Sequence, residues 1–262
     1  MTPPEHTSYG FQEVPIDEKT GRVRHVFARV ANKYDVMNDL MSAGLHRPWK
    51  DAMVARAAPR PGEVIIDMAG GTGDISHRLH DAIERQRSRR GGEPAQIFVC
   101  DINADMLMAG VRQDTLTPYA TLPRVQVNAE ALGFGDASAD LYTIAFGIRN
   151  VTHRAKALAE AWRVLKPGGR FVCLEFSEAH PSLRALYDRY SFAVVPKLGQ
   201  LVTGDAEPYQ YLVESIRRFP NAPTFEQELK DAGFERTGFR RLSAGVVALH
   251  WGTKPKSGAA AQ

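Results

Sequence analysis

The segment Asp67-Met68-Ala69-Gly70-Gly71-Thr72-Gly73-Asp74 places glycines and a hydroxyl between two acids, where the strand-like run Glu63 to Met68 gives way to a helical one. Glycines at such a turn let a ligand approach the backbone, and the first amides of the helix can face it. Asp101 closes the next strand-like run, Gln96 to Asp101. A carboxylate at a strand's C-terminal tip stands where open α/β sheets bind ligands, and it can accept both hydrogen bonds of a ribose diol. A third run, Arg124 to Val127, leads into Asn128 and Ala129, whose amide and backbone groups could meet an adenine edge, with Met106 or Leu107 over its face. The three positions together imply a nucleoside ligand, and both NAD and S-adenosylmethionine carry the diol. The bland alternatives are a tight turn with no ligand at the glycines, a helix cap at Asp101 and a simple chain reversal at Asn128. The dinucleotide fingerprint needs a third glycine, but Ser76 stands three residues after Gly73, and the loop lacks the lysine of a phosphate-binding P-loop.

These residues need a scaffold of alternating strands and helices. Asp140 to Ala145 and Arg170 to Glu175 read as two more strands, and Asp74 to Arg85, Ala104 to Arg112 and Arg154 to Leu165 as helices, the last stopped by Lys166-Pro167-Gly168-Gly169. Short apolar strands alternating with helices predict a parallel sheet covered on both faces, a doubly wound α/β fold. After Ser177 the pattern changes to helices over Ser182 to Val195, Tyr209 to Phe219 and Thr224 to Ala232. The runs Glu235 to Leu242 and Val246 to Trp251, split by Ser243-Ala244-Gly245, predict a closing antiparallel hairpin. Upstream, mixed three, four and seven spacings from Arg22 to Ala57 predict short helices. Residues 1 to about 20 read as a loosely held polar arm.

Composition narrows the classes further. The 262 residues, 44% hydrophobic and 24% charged, suit one globular α/β domain with elaborations. Cys100 and Cys173 lie in apolar runs without metal-ligand spacing, which predicts neither a disulfide framework nor a zinc site and suits a reducing cytoplasm. The longest apolar run, Leu141 to Ile148, is far short of the roughly 20 residues of a membrane span. The first twenty residues show neither a signal peptide nor a mitochondrial presequence. The net charge of +3 is local, because Arg85, Arg87, Arg89 and Arg90 supply +4 in one Gly-flanked segment read as a solvated loop or an anionic-lipid contact. It is not a nucleic-acid footprint.

With Leu165-Lys166-Pro167-Gly168-Gly169 added, the glycine loop, Asp101 and Asn128-Ala129-Glu130-Ala131-Leu132 resemble the class I S-adenosylmethionine-dependent methyltransferases. The run Phe27 to Ser42 with His46 and Trp49 resembles, more narrowly, the N-terminal signature of the ubiquinone/menaquinone-biosynthesis C-methyltransferases. Phe146-Gly147-Ile148-Arg149-Asn150-Val151 resembles their second signature, and Tyr209 to Ile216, Phe219-Pro220 and Ala232-Gly233-Phe234 are similar too. The resemblance covers about residues 8 to 253. It implies a Rossmann-like class I methyltransferase sheet, mostly parallel with a C-terminal antiparallel hairpin. It also implies methylation of a ring carbon of a polyprenylated quinol, 2-methoxy-6-polyprenyl-1,4-benzoquinol or demethylmenaquinol, with S-adenosylmethionine as donor, S-adenosylhomocysteine as product and no metal. Cofactor contacts fall on Gly71, Thr72, Gly73, Asp101, Asn128, Ala129 and Ala145. Ala145 stands where the family often has serine, so a side-chain bond is lost there, and Gly133 replaces the usual proline. The implied division is a flexible arm at 1–20, a helical cap at 21–57, the methyltransferase domain at 58–253 with a substrate-side insertion at about 181–232, and a disordered tail at 254–262.

A sulfonium methyl is already activated, so the chemistry required is alignment and stabilisation of a developing phenolate, a phenol having a pKa of about 10. Arg149 is the expected catalytic residue, holding the phenolate or orienting a water, with Asn150 as a neutral partner. The bland reading of Arg149 is a structural ion pair. His46, His153 and His250 are weaker candidates for a base. Tyr34, Asp35 and Asn38 are read as a lid or core, and Leu186, Tyr190, Phe192, Val194, Val195, Leu198, Leu201 and Val202 as a prenyl wall or core packing. A bilayer-resident substrate leads to an expectation of peripheral contact at the inner face of the membrane. A quinone-biosynthesis complex and a homo-oligomer are compatible partners, and nucleic acid is not expected. Competing readings are a class I methyltransferase of another small molecule, a nicotinamide dehydrogenase, and a catalytically silent scaffold subunit.

Overall fold

The computed structural model describes residues 6–30, 39, 42, 44–180, 182, 189, 193, 197, 200, 204 and 206–256. The expectations for Tyr34, Asp35, Asn38, the helix over Ser182 to Val195 and the prenyl wall from Leu186 to Val202 lie outside them or nearly so.

The chain opens with a hairpin of β1 (His6–Tyr9) and β2 (Gln12–Pro15), followed by α1 (Ile16–Val30) and α2 (His46–Ala57). Strand and helix then alternate through β3 (Val64–Met68), α3 (Asp74–Arg90), β4 (Gln96–Asp101), α4 (Ala104–Asp114), β5 (Arg124–Gln126), β6 (Ala139–Ala145), α5 (Arg154–Val164) and β7 (Leu165–Phe176). Two helices, α6 (Glu207–Arg218) and α7 (Ala222–Asp231), precede the closing strands β8 (Glu235–Leu242) and β9 (Val247–Thr253).

The sheet order is β5-β4-β3-β6-β7-β9-β8, with β5 to β7 parallel and β8 and β9 antiparallel, as the alternating pattern predicts. Because β3 pairs with β4 on one side and β6 on the other, the strand order reverses there, and the crevice above the tips of β3 and β6 is the topological switch point. Side chains alternate across the strands. Ile65, Ile97, Leu141 and Val172 pack on one face with Trp49 and Met53 of α2 and Leu79 and Ile83 of α3. Ile66, Cys100, Tyr142 and Phe171 pack on the other with Leu158 and Ala161 of α5 and Phe225 of α7. With both faces covered, the strands read as near-continuous apolar runs. Cys100 and Cys173 are free and buried in these layers.

Three local expectations are corrected. Residues 6–15, read within a loose arm, form the hairpin. Tyr9 stacks on Tyr211 at 4.5 Å and is buried with Val14, Val23 and Val26, so a few apolar residues in a polar stretch hold it to α6. The arginine segment is not a loop: Arg85, Arg87, Arg89 and Arg90 lie in the last turns of α3, where positive charge complements the carbonyl end of the helix and Arg87 bonds Glu84 at 2.6 Å. The helix α5 does stop before Lys166-Pro167-Gly168-Gly169, but the following strand begins at Leu165 and not at Arg170, so the segment is not a separate turn. It lies inside β7 as an irregularity between the Ala139–Leu165 and Leu141–Arg170 pairs.

Candidate active site

Above the switch point lies a cleft open to solvent. Its floor is the strand tips and their loops: Met68 to Thr72 after β3, Asp101 to Asn103 after β4, Asn128 to Glu130 after β5, and Ile144 to Gly147 after β6. Its roof is α1, through Thr20, Val23, Arg24 and Phe27.

The glycine loop is held from below. Asp67, buried at the end of β3, accepts hydrogen bonds from the hydroxyls of Ser76 (2.7 Å) and Thr143 (2.8 Å), and burial pushes its carboxyl up to about 6 against those bonds. Gly71 has φ +54°, and a Cβ there would stand 3.0 Å from Met106 Cε, so only glycine leaves the cradle open. Gly73 has φ +106° and starts α3. Arg124 clamps the loop by donating to the Thr72 carbonyl at 3.1 Å while pairing with Asp114, which also bonds His77 at 2.8 Å.

Asp101 spans the tips of β3 and β4. Its Oδ2 accepts the Gly71 N–H (3.0 Å) and its Oδ1 the Asn103 N–H (2.8 Å). Burial raises its carboxyl to about 6 despite these backbone donors. Each carboxylate oxygen keeps a second lone pair, so the group can still accept from a diol. Capping of α4 falls instead to Asn103, whose Oδ1 accepts the Asp105 N–H. Asn128 does turn the chain, its Oδ1 accepting the Glu130 N–H at 3.0 Å, yet it also lines the cleft, and its Nδ2 has no partner among the described residues. Ala129 and Ala145 line the cleft, as does Met106, whereas Leu107 is buried outside it. Gly73 also lies outside the lining and acts through the turn. Diol acceptor, free amide, thioether and open cradle surround one cavity, and the donor set fits an adenosine.

The two expected catalytic residues diverge. Asn150 lines the cleft, and its Oδ1 accepts the Tyr211 hydroxyl at 3.1 Å. Arg149 does not line it. Its side chain is 2% exposed, with Nη1 bonded to Glu175 Oε1 at 2.9 Å and to the Phe146 carbonyl. This is the ion-pair arrangement, in which the cation borders a second cavity beside Lys19, Arg154, Tyr211 and Arg218 that shares Val151 and Thr152 with the cleft lining. None of the three histidines lines the cleft. His46 bonds Asp39 at 2.8 Å, His153 precedes α5, and His250 is buried between Phe225 and Phe239.

Sequence reasoning missed Lys50, which pairs at 2.6 Å with Asp74 of the glycine-loop segment on the cleft wall, and the contribution of Thr20, Val23 and Arg24. A lysine in an otherwise apolar helical face, Trp49-Lys50-Met53, was the available signal for the first.

Comparison with known proteins agrees with this geometry. The model of the ubiE/COQ5 methyltransferase family matches residues 15–254. The chain is 53% identical over 254 residues to the ubiquinone/menaquinone biosynthesis C-methyltransferase UbiE of Brucella anthropi, covering 95% of this chain and 93% of that one. It is 51% identical over 255 residues to the mitochondrial 2-methoxy-6-polyprenyl-1,4-benzoquinol methylase of Arabidopsis thaliana, covering 93% and 88%. Among solved structures, a SAM-dependent methyltransferase from Thermotoga maritima superposes with a TM-score of 0.60 at 20% identity, covering 88% of this chain and 99% of that one. Phosphoethanolamine N-methyltransferase 2 of Haemonchus contortus, in complex with S-adenosyl-L-methionine, gives 0.63 at 14% identity, covering 89% and 60%. These two likenesses show the fold alone. With the family model spanning nearly its whole length and two relatives above 50% identity, this chain belongs to the ubiE/COQ5 methyltransferase family.

Proposed function

We propose that this protein methylates a ring carbon of a polyprenylated quinol, 2-methoxy-6-polyprenyl-1,4-benzoquinol or demethylmenaquinol, with S-adenosylmethionine as donor. The observation that carries the reading is the gathering of Gly71, Thr72, Asp101, Asn128, Ala129 and Asn150 around one cleft at the switch point, in a chain of this family. The bound donor supplies an activated sulfonium methyl. The chain's residues orient and polarise.

Asp101 takes the ribose hydroxyls, Asn128 and Ala129 the adenine edge, and Met106 and Phe27 give apolar cover. At the β6 end, Tyr211 fixes the Asn150 amide through Oδ1, which leaves Nδ2 to donate to a quinol oxygen. That bond strengthens as the hydroxyl proton passes to solvent and the ring carbon becomes nucleophilic, the ring proton following to solvent after methyl transfer, so it favours the transition state over the bound quinol. Arg149 acts here as a positioning residue. Its bonds to Glu175 and the Phe146 carbonyl close the turn that presents Asn150.

The prenyl tail of such a substrate extends the proposal to peripheral association with the inner face of a membrane from the cytoplasm. Among the described residues no helix is long and apolar enough to cross a membrane. Expression in a bacterium lacking quinone methylation tests the function: restored ring-methylated quinones support it, and accumulation of the unmethylated quinol despite folded protein contradicts it.

A further inference from the structure

Lys50 projects from α2 with its side chain 6% exposed, yet it lines the cleft. Lysine is almost never buried without compensating partners. Its Nζ meets Asp74 Oδ2 at 2.6 Å, and Asp74 Oδ1 is already taken by Arg78 Nε at 2.8 Å. Asp74 is therefore shared between two cations. The other carboxylate on Arg78, Asp51, is 68% exposed and screened by water. Lys50 thus shares its one carboxylate with Arg78, and two of its three N–H donors have no acceptor among the described residues.

The position of this charge is specific. Asp101 grips the loop at Gly71, Asp74, the first residue of α3, holds Lys50 two residues past Thr72, and all five residues line the one cleft. A ligand spanning the loop meets a diol acceptor at one end and a carboxylate receptor at the other. An adenosyl thioether of an amino acid has its groups in that order.

We infer that Lys50, held by Asp74, receives the carboxylate of the amino-acid end of the cofactor and makes the cleft select an amino-acid-bearing nucleoside over the bare one. The inference rests on S-adenosylmethionine being the donor. The carboxylate supplies the missing acceptor to a lysine whose side chain is 6% exposed, where a charge-assisted hydrogen bond is strong. Asp74 is a positioning residue, since its oxygens are occupied.

Calorimetric titration of the full-length protein tests this with three probes: S-adenosylhomocysteine, its decarboxylated analogue S-adenosyl-3-thiopropylamine, and 5′-methylthioadenosine, which lacks the amino-acid end. The wild-type protein is expected to lose roughly ten- to hundredfold in affinity when the carboxylate alone is removed. Lys50→Met is expected to weaken S-adenosylhomocysteine by a similar factor and 5′-methylthioadenosine by less than about twofold, with Lys50→Arg recovering part of the loss. Equal weakening of both ligands in Lys50→Met, or undiminished S-adenosylhomocysteine binding, overturns the inference. If Lys50→Met does not fold, the wild-type comparison decides alone: an analogue without carboxylate that binds as tightly as S-adenosylhomocysteine overturns it. Failure of every adenosyl probe to bind wild-type protein strikes instead at the donor assignment.

Discussion

The Tyr211 hydroxyl donates to Asn150 Oδ1 at 3.1 Å, and this bond joins the helix that carries the N-terminal hairpin to the wall of the reaction cleft. Burial raises the Tyr211 phenol above its ordinary value, so it remains a donor at every working pH. Asn150→Ala removes the proposed contact to the quinol and should lower kcat/KM about a hundredfold. Tyr211→Phe frees the amide to rotate and should cost less, roughly three- to tenfold. Neither change should move S-adenosylhomocysteine affinity by more than about twofold. Steady-state kinetics beside calorimetry checks the split.

Arg149 and Glu175 form a buried pair, and burial raises the Glu175 carboxyl even with the guanidinium beside it. Arg149→Ala leaves that carboxylate without its cation and should destabilise the fold by about 3–5 kcal/mol. The folded fraction should bind S-adenosylhomocysteine as wild type does, because Arg149 does not line the cleft, while turnover falls with the displaced Asn150 turn. Chemical denaturation, calorimetry and kinetics on one preparation separate the three effects. Lost cofactor binding with normal turnover at saturation contradicts the assignment.

Asp101 must be ionised to accept from two ribose hydroxyls, and its carboxyl is raised to about 6. Affinity for S-adenosylhomocysteine should therefore be level above pH 7 and fall towards tenfold per unit below about 6. Asp101→Asn should bind at least about tenfold more weakly and lose this pH dependence. Titrations at pH 5 and pH 8 read both effects.

His250 is 1% exposed between aromatic rings, and burial depresses it to about 4. An unfolded histidine titrates near 6.5. Between those values the unfolded chain holds the extra proton, so stability is lost as pH falls from about 6.5 towards 4, by about 3 kcal/mol in all. His250→Met should remove that loss, stabilising the protein more at pH 5 than at pH 8 and leaving turnover unchanged. Denaturant midpoints at the two pH values measure it.

Much of this was legible because it is local. Asp101 ends a strand and Gly71, Thr72, Asn128 and Ala129 follow one by a short step, and parallel strands bring such tips to one edge of the sheet. What escaped was set by contacts between distant elements. Nothing near Arg149 announces Glu175, which lies on the neighbouring strand, and nothing near Lys50 announces Asp74. The hairpin at residues 6–15 depends on Tyr211 and Glu214, whose side chains receive Tyr9 and the Phe11 N–H. The arginines after Ile83 looked like a loop because their polarity hides a helix that continues to Arg90, stabilised by charge at its carbonyl end.

Carbon methylation of a quinol is open to direct measurement. Purified protein incubated with S-adenosylmethionine carrying a CD3 group and a short-chain 2-methoxy-6-prenyl-1,4-benzoquinol tests it directly, with the product read by mass and fragmentation. CD3 is expected in place of one ring hydrogen, resistant to ether cleavage, with the labelled product reduced about tenfold or more by Asp101→Asn at limiting donor. A folded, S-adenosylhomocysteine-binding protein that yields no labelled quinol, or that places CD3 on oxygen, would contradict it.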